Sequence, residues 1–207
     1  MSIFLKFPET SIAKDLADSP TRRERHNYYY KLKSKIVISD KNPIFTLVFN
    51  LSKNRNTMKN VFYKEDCDEF VKRINLLQPD SVGLWGKMDV AQMLAHCNVS
   101  YEMVFDDIHP KPGFFLKFIL KTLVKNKVVS ETPYKHNNPT ASQFIINDSR
   151  DFDLERDRLI AYINKTQLLG EKDFDGKESH SFGRLTATEW SNMFAKHLEH
   201  HLSQFGV

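Results

Sequence analysis

A single helix is predicted over the last 22 residues, 186–207, and it restricts the fold more than any other stretch. Thr186 and Glu189 have the spacing of a capping box, and Gly206 stands where a helix commonly stops. The large side chains between them recur at steps of three and four residues, which places them on one helix face: Trp190, Phe194, His197, His201 and Phe205. This face is therefore expected to be buried.

Two histidines one turn apart, His197 and His201, lie in this apolar row. Buried polar groups need partners, and two imidazoles at this spacing can share a divalent metal ion. A pair of core histidines with other partners, or a helix rotated so that both face water, explains the same residues. The helix alone leaves these alternatives open.

The composition is that of a globular protein, with 41% hydrophobic and 27% charged residues in a chain of 207. No apolar run approaches the roughly 18 residues of a membrane-spanning helix. Cys67 and Cys97 provide neither a disulfide framework nor a CxxC pair, which indicates a reducing compartment. The start of the chain lacks the pattern of a signal peptide. We therefore predict a cytoplasmic protein.

Positive charge is concentrated at the start of the chain. Residues 1–57 contain 11 Lys and Arg against 5 Asp and Glu, a balance of +6, whereas residues 58–207 contain 19 against 21, a balance of −2. We expect 1–57 to be an irregular basic extension, either upstream of a native start at Met58 or an arm for an acidic partner or nucleic acid. No nucleic acid is expected to bind 58–207.

Four long helices and one accessory helix predict an all-α protein built as an antiparallel four-helix bundle. The predicted long helices are Tyr63–Leu77, Asp89–Phe105, Phe152–Leu169 and Thr186–Val207. No strand pattern is evident after Met58, and residues 171–184 are expected to form a loop. The accessory helix, 114–128, is expected to pack over the bundle as a lid rather than lie on a membrane, because its large apolar residues suit a core.

A third histidine, His96, borders the apolar face of the second helix. A satisfied core histidine and a metal ligand are both consistent with this position. Its neighbour Cys97 is expected to be a buried, inert thiol. His200 lies about 100° around the last helix from His201, so we place it at the rim or in solvent. Three imidazoles suit zinc, nickel, copper or iron, and neither HExxH nor ExxH is present.

Two sequence segments resemble signatures of one family. WGKMDVAQMLAHC, residues 85–97, is similar to the second-helix signature of a DinB-like branch catalogued as a domain of unknown function. Its C-terminal signature resembles His180, FGRLT at 182–186, Glu189-Trp190 and KHLEHHLSQFGV at 196–207. Ser181 departs from the usual proline. The resemblance covers 58–207 and implies a four-helix bundle that holds a divalent metal through His96, His197 and His201.

The resemblance also implies metal-dependent chemistry, as a transferase or hydrolase acting on a small molecule or a low-molecular-weight thiol. His180, Glu102 and His200 are candidates for a general base, and each also fits a structural or surface role. The alternative is a non-catalytic bundle whose histidines form a structural metal or polar core site, and which binds a partner or forms a homodimer. No membrane partner is expected.

Overall fold

The computed structural model describes residues 58–207, so the predicted extension 1–57 lies outside the described residues. The described part is mainly helical, as predicted. Its α-helices are α1 (Lys64–Ile74), α2 (Val90–Phe105), α3 (Phe114–Ile119), α4 (Lys125–Val129), α5 (Phe152–Leu169), α6 (Glu171–Phe174) and α7 (Ala187–Gln204). A π-helical turn (Leu120–Val124) joins α3 to α4, and a short 3₁₀ turn (Ser142–Phe144) precedes α5.

Four helices, α1, α2, α5 and α7, form the bundle. Helix α5 packs against α1 and α2, and α7 packs against the same two helices from the other side of the core. The core between them is aromatic at its centre: the Phe194 ring stacks on Tyr101 at 4.5 Å and on Trp190 at 5.6 Å between ring centroids. Stacked aromatic rings bury a large apolar area in a defined geometry. Helices α2 and α7, which carry the candidate ligands, are therefore held side by side.

Capping boxes mark the starts of two bundle helices. Thr186 and Glu189 form the predicted reciprocal capping box at the start of α7, and Asp89 and Gln92 form another, which was not predicted, at the start of α2. Each box satisfies two backbone N–H groups that have no partner within the helix. Gly206, at φ 73°, closes α7 by adopting the left-handed conformation that glycine tolerates.

The prediction of a loop over 171–184 is wrong. This stretch contains α6 and an antiparallel hairpin, β1 (Glu178–Ser179) paired with β2 (Gly183–Arg184). Phe174 at the end of α6 is fully buried in the aromatic core, which anchors the segment to the bundle. Ser179 Oγ donates to the Gly183 carbonyl and accepts from the Phe182 N–H, so it closes the hairpin through both of its hydrogen-bonding roles.

The accessory segment also differs from its prediction. Its C-terminal part, α4, packs against α7, but the large side chains of α3 face outward instead of covering the bundle. No helix within residues 58–207 combines the length and the hydropathy needed to cross a membrane.

Candidate metal centre

Three histidines from two helices meet at one place in the bundle. His96 lies two turns into α2, and His197 and His201 lie one turn apart on α7. One ring nitrogen of each lies within 4.8 Å of the corresponding atoms of the other two, and these residues form the cluster with metal-ligand geometry among residues 58–207. The structure therefore brings together the three residues that the sequence singled out.

The Nδ1 atom of His96 lies 2.7 Å from the backbone carbonyl of Phe144 in the 3₁₀ turn. A carbonyl oxygen only accepts, so Nδ1 carries the ring proton and donates it. The other nitrogen, Nε2, is left with a free lone pair that points away from Phe144. This is the tautomer that a metal ligand needs.

His201 is oriented in the same way through a longer chain of contacts. Gln204 Nε2 donates to the carbonyl of Trp85 at 2.6 Å, which turns the amide oxygen of Gln204 toward His201. That oxygen lies 2.8 Å from His201 Nδ1, so Nδ1 must be the donor. The Nε2 lone pair of His201 is consequently free as well.

His197 is held by a hydroxyl group. Its Nδ1 lies 2.9 Å from Ser100 Oγ, and its Nε2 lies 2.9 Å from His96 Nε2. Because His96 Nε2 can only accept, His197 Nε2 donates in this contact and His197 Nδ1 accepts from the Ser100 hydroxyl. A metal ion that replaced the proton on His197 Nε2 would leave Nδ1 to donate to Ser100. A hydroxyl can either donate or accept, so Ser100 is compatible with this ligand form of the ring.

Burial keeps the three rings uncharged at neutral pH. The pKa of His201 falls to about 3, because the buried ring loses the hydration of its charged form and because His96 lies beside it. The pKa of His197 is lowered well below its usual value by burial and by the other two histidines. Burial also lowers the pKa of His96, although its contact with Phe144 opposes the shift. Neutral imidazole is the form that binds metals.

His200 lies outside the triad, as predicted, but it is not surrounded by solvent. Its ring is half-buried and makes edge contacts with Trp85 at 5.9 Å and with Tyr134 at 5.8 Å between centroids. Burial and the nearby His136 lower its pKa. A cavity of about 180 Å³ adjoins this cluster and is lined by Met58, Trp85, Pro133, Tyr134, His136, Lys196, Glu199, His200 and Ser203. None of the three triad histidines lines it.

The other candidates for a general base are engaged elsewhere. Glu102 binds Arg158 at 2.5 Å and His109 at 2.8 Å, in a buried network on α2 and α5. His180 contacts Ser181 Oγ at 2.9 Å, beside the small hairpin. Neither contacts the triad within residues 58–207. Cys97 is buried against Met93, and burial raises its pKa, as expected for an inert thiol.

Residues 56–206 match the family described as Protein of unknown function (DUF1569). The chain belongs to this family. The match includes the triad and every residue that orients it. No curated protein and no solved structure matches the chain.

Within this DUF1569 domain, the contacts of Gln204 connect two distant segments of the sequence. Leu84 N donates to the Gln204 carbonyl at 2.7 Å, and the Gln204 side chain binds the carbonyl of Trp85. Gly86, at φ 85°, lies against the same side chain, and a Cβ there would be 2.4 Å from Gln204 Nε2. Sequence reasoning missed Gln204 and Ser100. The signal that points to them is helical spacing. Gln204 follows His201 by three residues and Ser100 follows His96 by four, so each lies on the same helix face as a histidine of the triad.

Replacing Gln204 with leucine is expected to weaken metal binding by ~10–100-fold, the usual effect of losing the partner of a ligating histidine. The leucine keeps the approximate volume but cannot accept from His201 Nδ1, so the ring loses its preferred tautomer. Titration with Zn²⁺ in a calorimeter measures the change. Ser203→Ala, one residue away and outside the triad's contacts, is the control. Equal affinities of Gln204→Leu and the unaltered protein would contradict the assigned role.

Proposed function

We propose that the protein binds one divalent metal ion through His96, His197 and His201 and uses it in a reaction of a small molecule. The observation that carries this proposal is the convergence of one ring nitrogen from each of three histidines, on rings whose Nδ1 atoms each have a hydrogen-bond partner. Histidines that only fill the core do not need ring nitrogens that converge on one point. The donor set fits zinc, and it suits nickel, copper and iron as well.

A metal ion bound here would act as a Lewis acid. It would lower the pKa of a bound water or thiol to near neutral, so that the deprotonated form is available as a nucleophile. The chain's own residues contribute the orientation of the rings. Phe144 and Gln204 accept the Nδ1 protons of His96 and His201, the Ser100 hydroxyl can accept that of His197, and burial keeps the rings neutral. Three protein ligands leave a fourth position for an exogenous group, which is the pattern of catalytic zinc sites. This supports a transferase or hydrolase, with a low-molecular-weight thiol as one candidate substrate, and a place among DinB-like proteins.

A structural metal site is the second candidate function. Phe144 packs its ring edge-on against His96 at 5.3 Å and against His197 at 5.8 Å, so one side of the triad is covered by an apolar ring. The described cavity is lined by His200 and its neighbours instead of by the triad. Such surroundings favour a bundle that is stabilised by its metal and that works as a binding module.

Cobalt substitution separates the two functions. We expect the Co²⁺-loaded protein to develop a thiolate-to-cobalt charge-transfer band when 2-mercaptoethanol is added, because an open position admits the thiol. His200→Ala, which alters a neighbour but no ligand, should give the same band. A visible cobalt spectrum that does not respond to thiol, azide or cyanide would show a closed coordination sphere and favour the structural site. A protein that takes up no cobalt would contradict both.

A further inference from the structure

The base of the accessory segment is fixed to the bundle. On α7, Asn192 Nδ2 donates to the Val129 carbonyl at 3.0 Å. Lys196 Nζ donates to the carbonyls of Lys127 at 2.8 Å and Ser130 at 2.5 Å. These bonds satisfy carbonyl groups at the end of α4, where a helix has no further backbone donors. The segment that precedes this anchor is therefore held in a defined position.

The opposite end of the segment exposes large apolar side chains. Phe114 is 91% exposed, Phe115 75% and Phe118 60%, and Leu116 between them is 50% exposed. We call these four residues the apolar tip. Burying such side chains stabilises a protein, so three phenylalanines left in water forgo that stabilisation. Contiguous exposed apolar surface of this kind commonly marks an interaction site.

The surroundings of the apolar tip are basic. Residues 109–129 contain five lysines and no Asp or Glu. Lys111, Lys117 and Lys125 form ion pairs with carboxylates from neighbouring segments. Lys121 and Lys127 are exposed. Neither belongs to the ion pairs of residues 58–207, although Lys121 joins Lys117 in lowering the pKa of the nearby Glu178 carboxyl. The segment thus combines exposed aromatic residues with an excess of positive charge.

We propose that the apolar tip docks onto the surface of an anionic lipid bilayer. Phenylalanine and leucine side chains insert at the boundary between headgroups and acyl chains, while lysines at the same level contact anionic headgroups. The anchored base then transmits this attachment to α7 and the bundle. This surface attachment is independent of the metal chemistry proposed above.

Charge favours lipid over the two occupants that the chain itself could supply. A second copy docked tip to tip would bring two sets of lysines together, because a symmetric interface places the same patch on both sides. Residues 1–57 carry a balance of +6 and would also oppose the basic segment. An anionic surface complements the positive charge of both regions, because lysines near such a surface are attracted to its headgroups.

The test is co-sedimentation of the full-length protein with vesicles of phosphatidylcholine, with and without roughly 30% phosphatidylserine. We expect binding to the anionic vesicles, weaker binding at high salt, and at least a ~10-fold loss for the triple variant Phe114→Ser, Phe115→Ser, Phe118→Ser. The matched control is Val82→Ser with Leu168→Ser, which removes apolar side chains that are 82% and 81% exposed outside the tip. A Phe115→Trp variant should show a blue-shifted emission when vesicles bind.

Three results would overturn the proposal. The first is an absence of binding to anionic vesicles. The second is binding that the triple variant retains in full, which would assign it to residues 1–57 or another basic surface. The third concerns sedimentation velocity. If the unaltered protein self-associates and the triple variant is a monomer, the apolar tip binds a second copy of the chain.

Discussion

Replacing His197 with alanine is expected to lower the affinity for Zn²⁺ by at least ~100-fold, since losing even a hydrogen-bond partner of a ligand can cost that much. His197 contacts both of the other histidines of the triad. Its Nε2 faces His96, and its ring lies 4.9 Å from that of His201 between centroids. Two ligands that remain, on different helices, cannot hold a metal as three can. Metal content after dialysis and calorimetric titration with Zn²⁺ measure the effect.

His200→Ala is the matched control, because His200 belongs to the same helix and sequence motif but none of its nitrogens is part of the triad. It should bind Zn²⁺ like the unaltered protein. If His200→Ala lost the metal while His197→Ala retained it, the ligand assignment would be wrong. Circular dichroism of each variant separates loss of metal from loss of fold.

Replacing Phe194 with alanine is expected to lower the free energy of unfolding by ~3–5 kcal/mol, the usual range for removing a buried aromatic ring. Phe194 is 1% exposed and stacks between Tyr101 and Trp190, so its loss leaves a cavity where α2 and α7 meet. Urea unfolding should show a lower midpoint with an unchanged m-value. Since α7 carries two of the three candidate ligands, the variant should also bind metal less tightly.

Phe114→Ala provides the comparison, because it removes the same atoms from a position that is 91% exposed. Its unfolding free energy should change by less than ~0.5 kcal/mol, as for most surface substitutions. A similar loss of unfolding free energy in both variants would mean that the apolar tip is buried in solution. That result would contradict the exposure of the tip, on which the lipid proposal rests.

The four long helices and two of the three candidate ligands could be predicted from sequence because both depend on local spacing. The capping box of Thr186 and Glu189 and the glycine after α7 act within one helical turn, where neighbouring residues alone determine the geometry. The shared face of His197 and His201 follows from the helical repeat in the same way. His96 could be named from the resemblance, and the structure places it beside the other two.

Other features could not be predicted because they depend on contacts between distant segments. The lid prediction for α3 used hydropathy alone, which cannot tell whether a neighbouring surface is present to cover a helix. The loop prediction for 171–184 missed the hairpin and α6, since such short elements are stabilised by packing of Phe174 and not by their own propensity. His200 was expected at the rim or in solvent, and its aromatic neighbours Trp85 and Tyr134 come from loops far away in the chain.

The candidate metal centre shows most clearly which features are local and which depend on the fold. The sequence by itself determined the positions of the four long helices, the start and end of α7 and which two histidines of α7 share a face, because these properties arise within a few residues. Only the tertiary structure decided which nitrogen of His96 and of His201 is free. Backbone carbonyls of Phe144 and Trp85 determine the Nδ1 protons of His96 and, through Gln204, of His201. A backbone carbonyl is present at every residue, so its position in the fold, and not its identity, selects it as a partner.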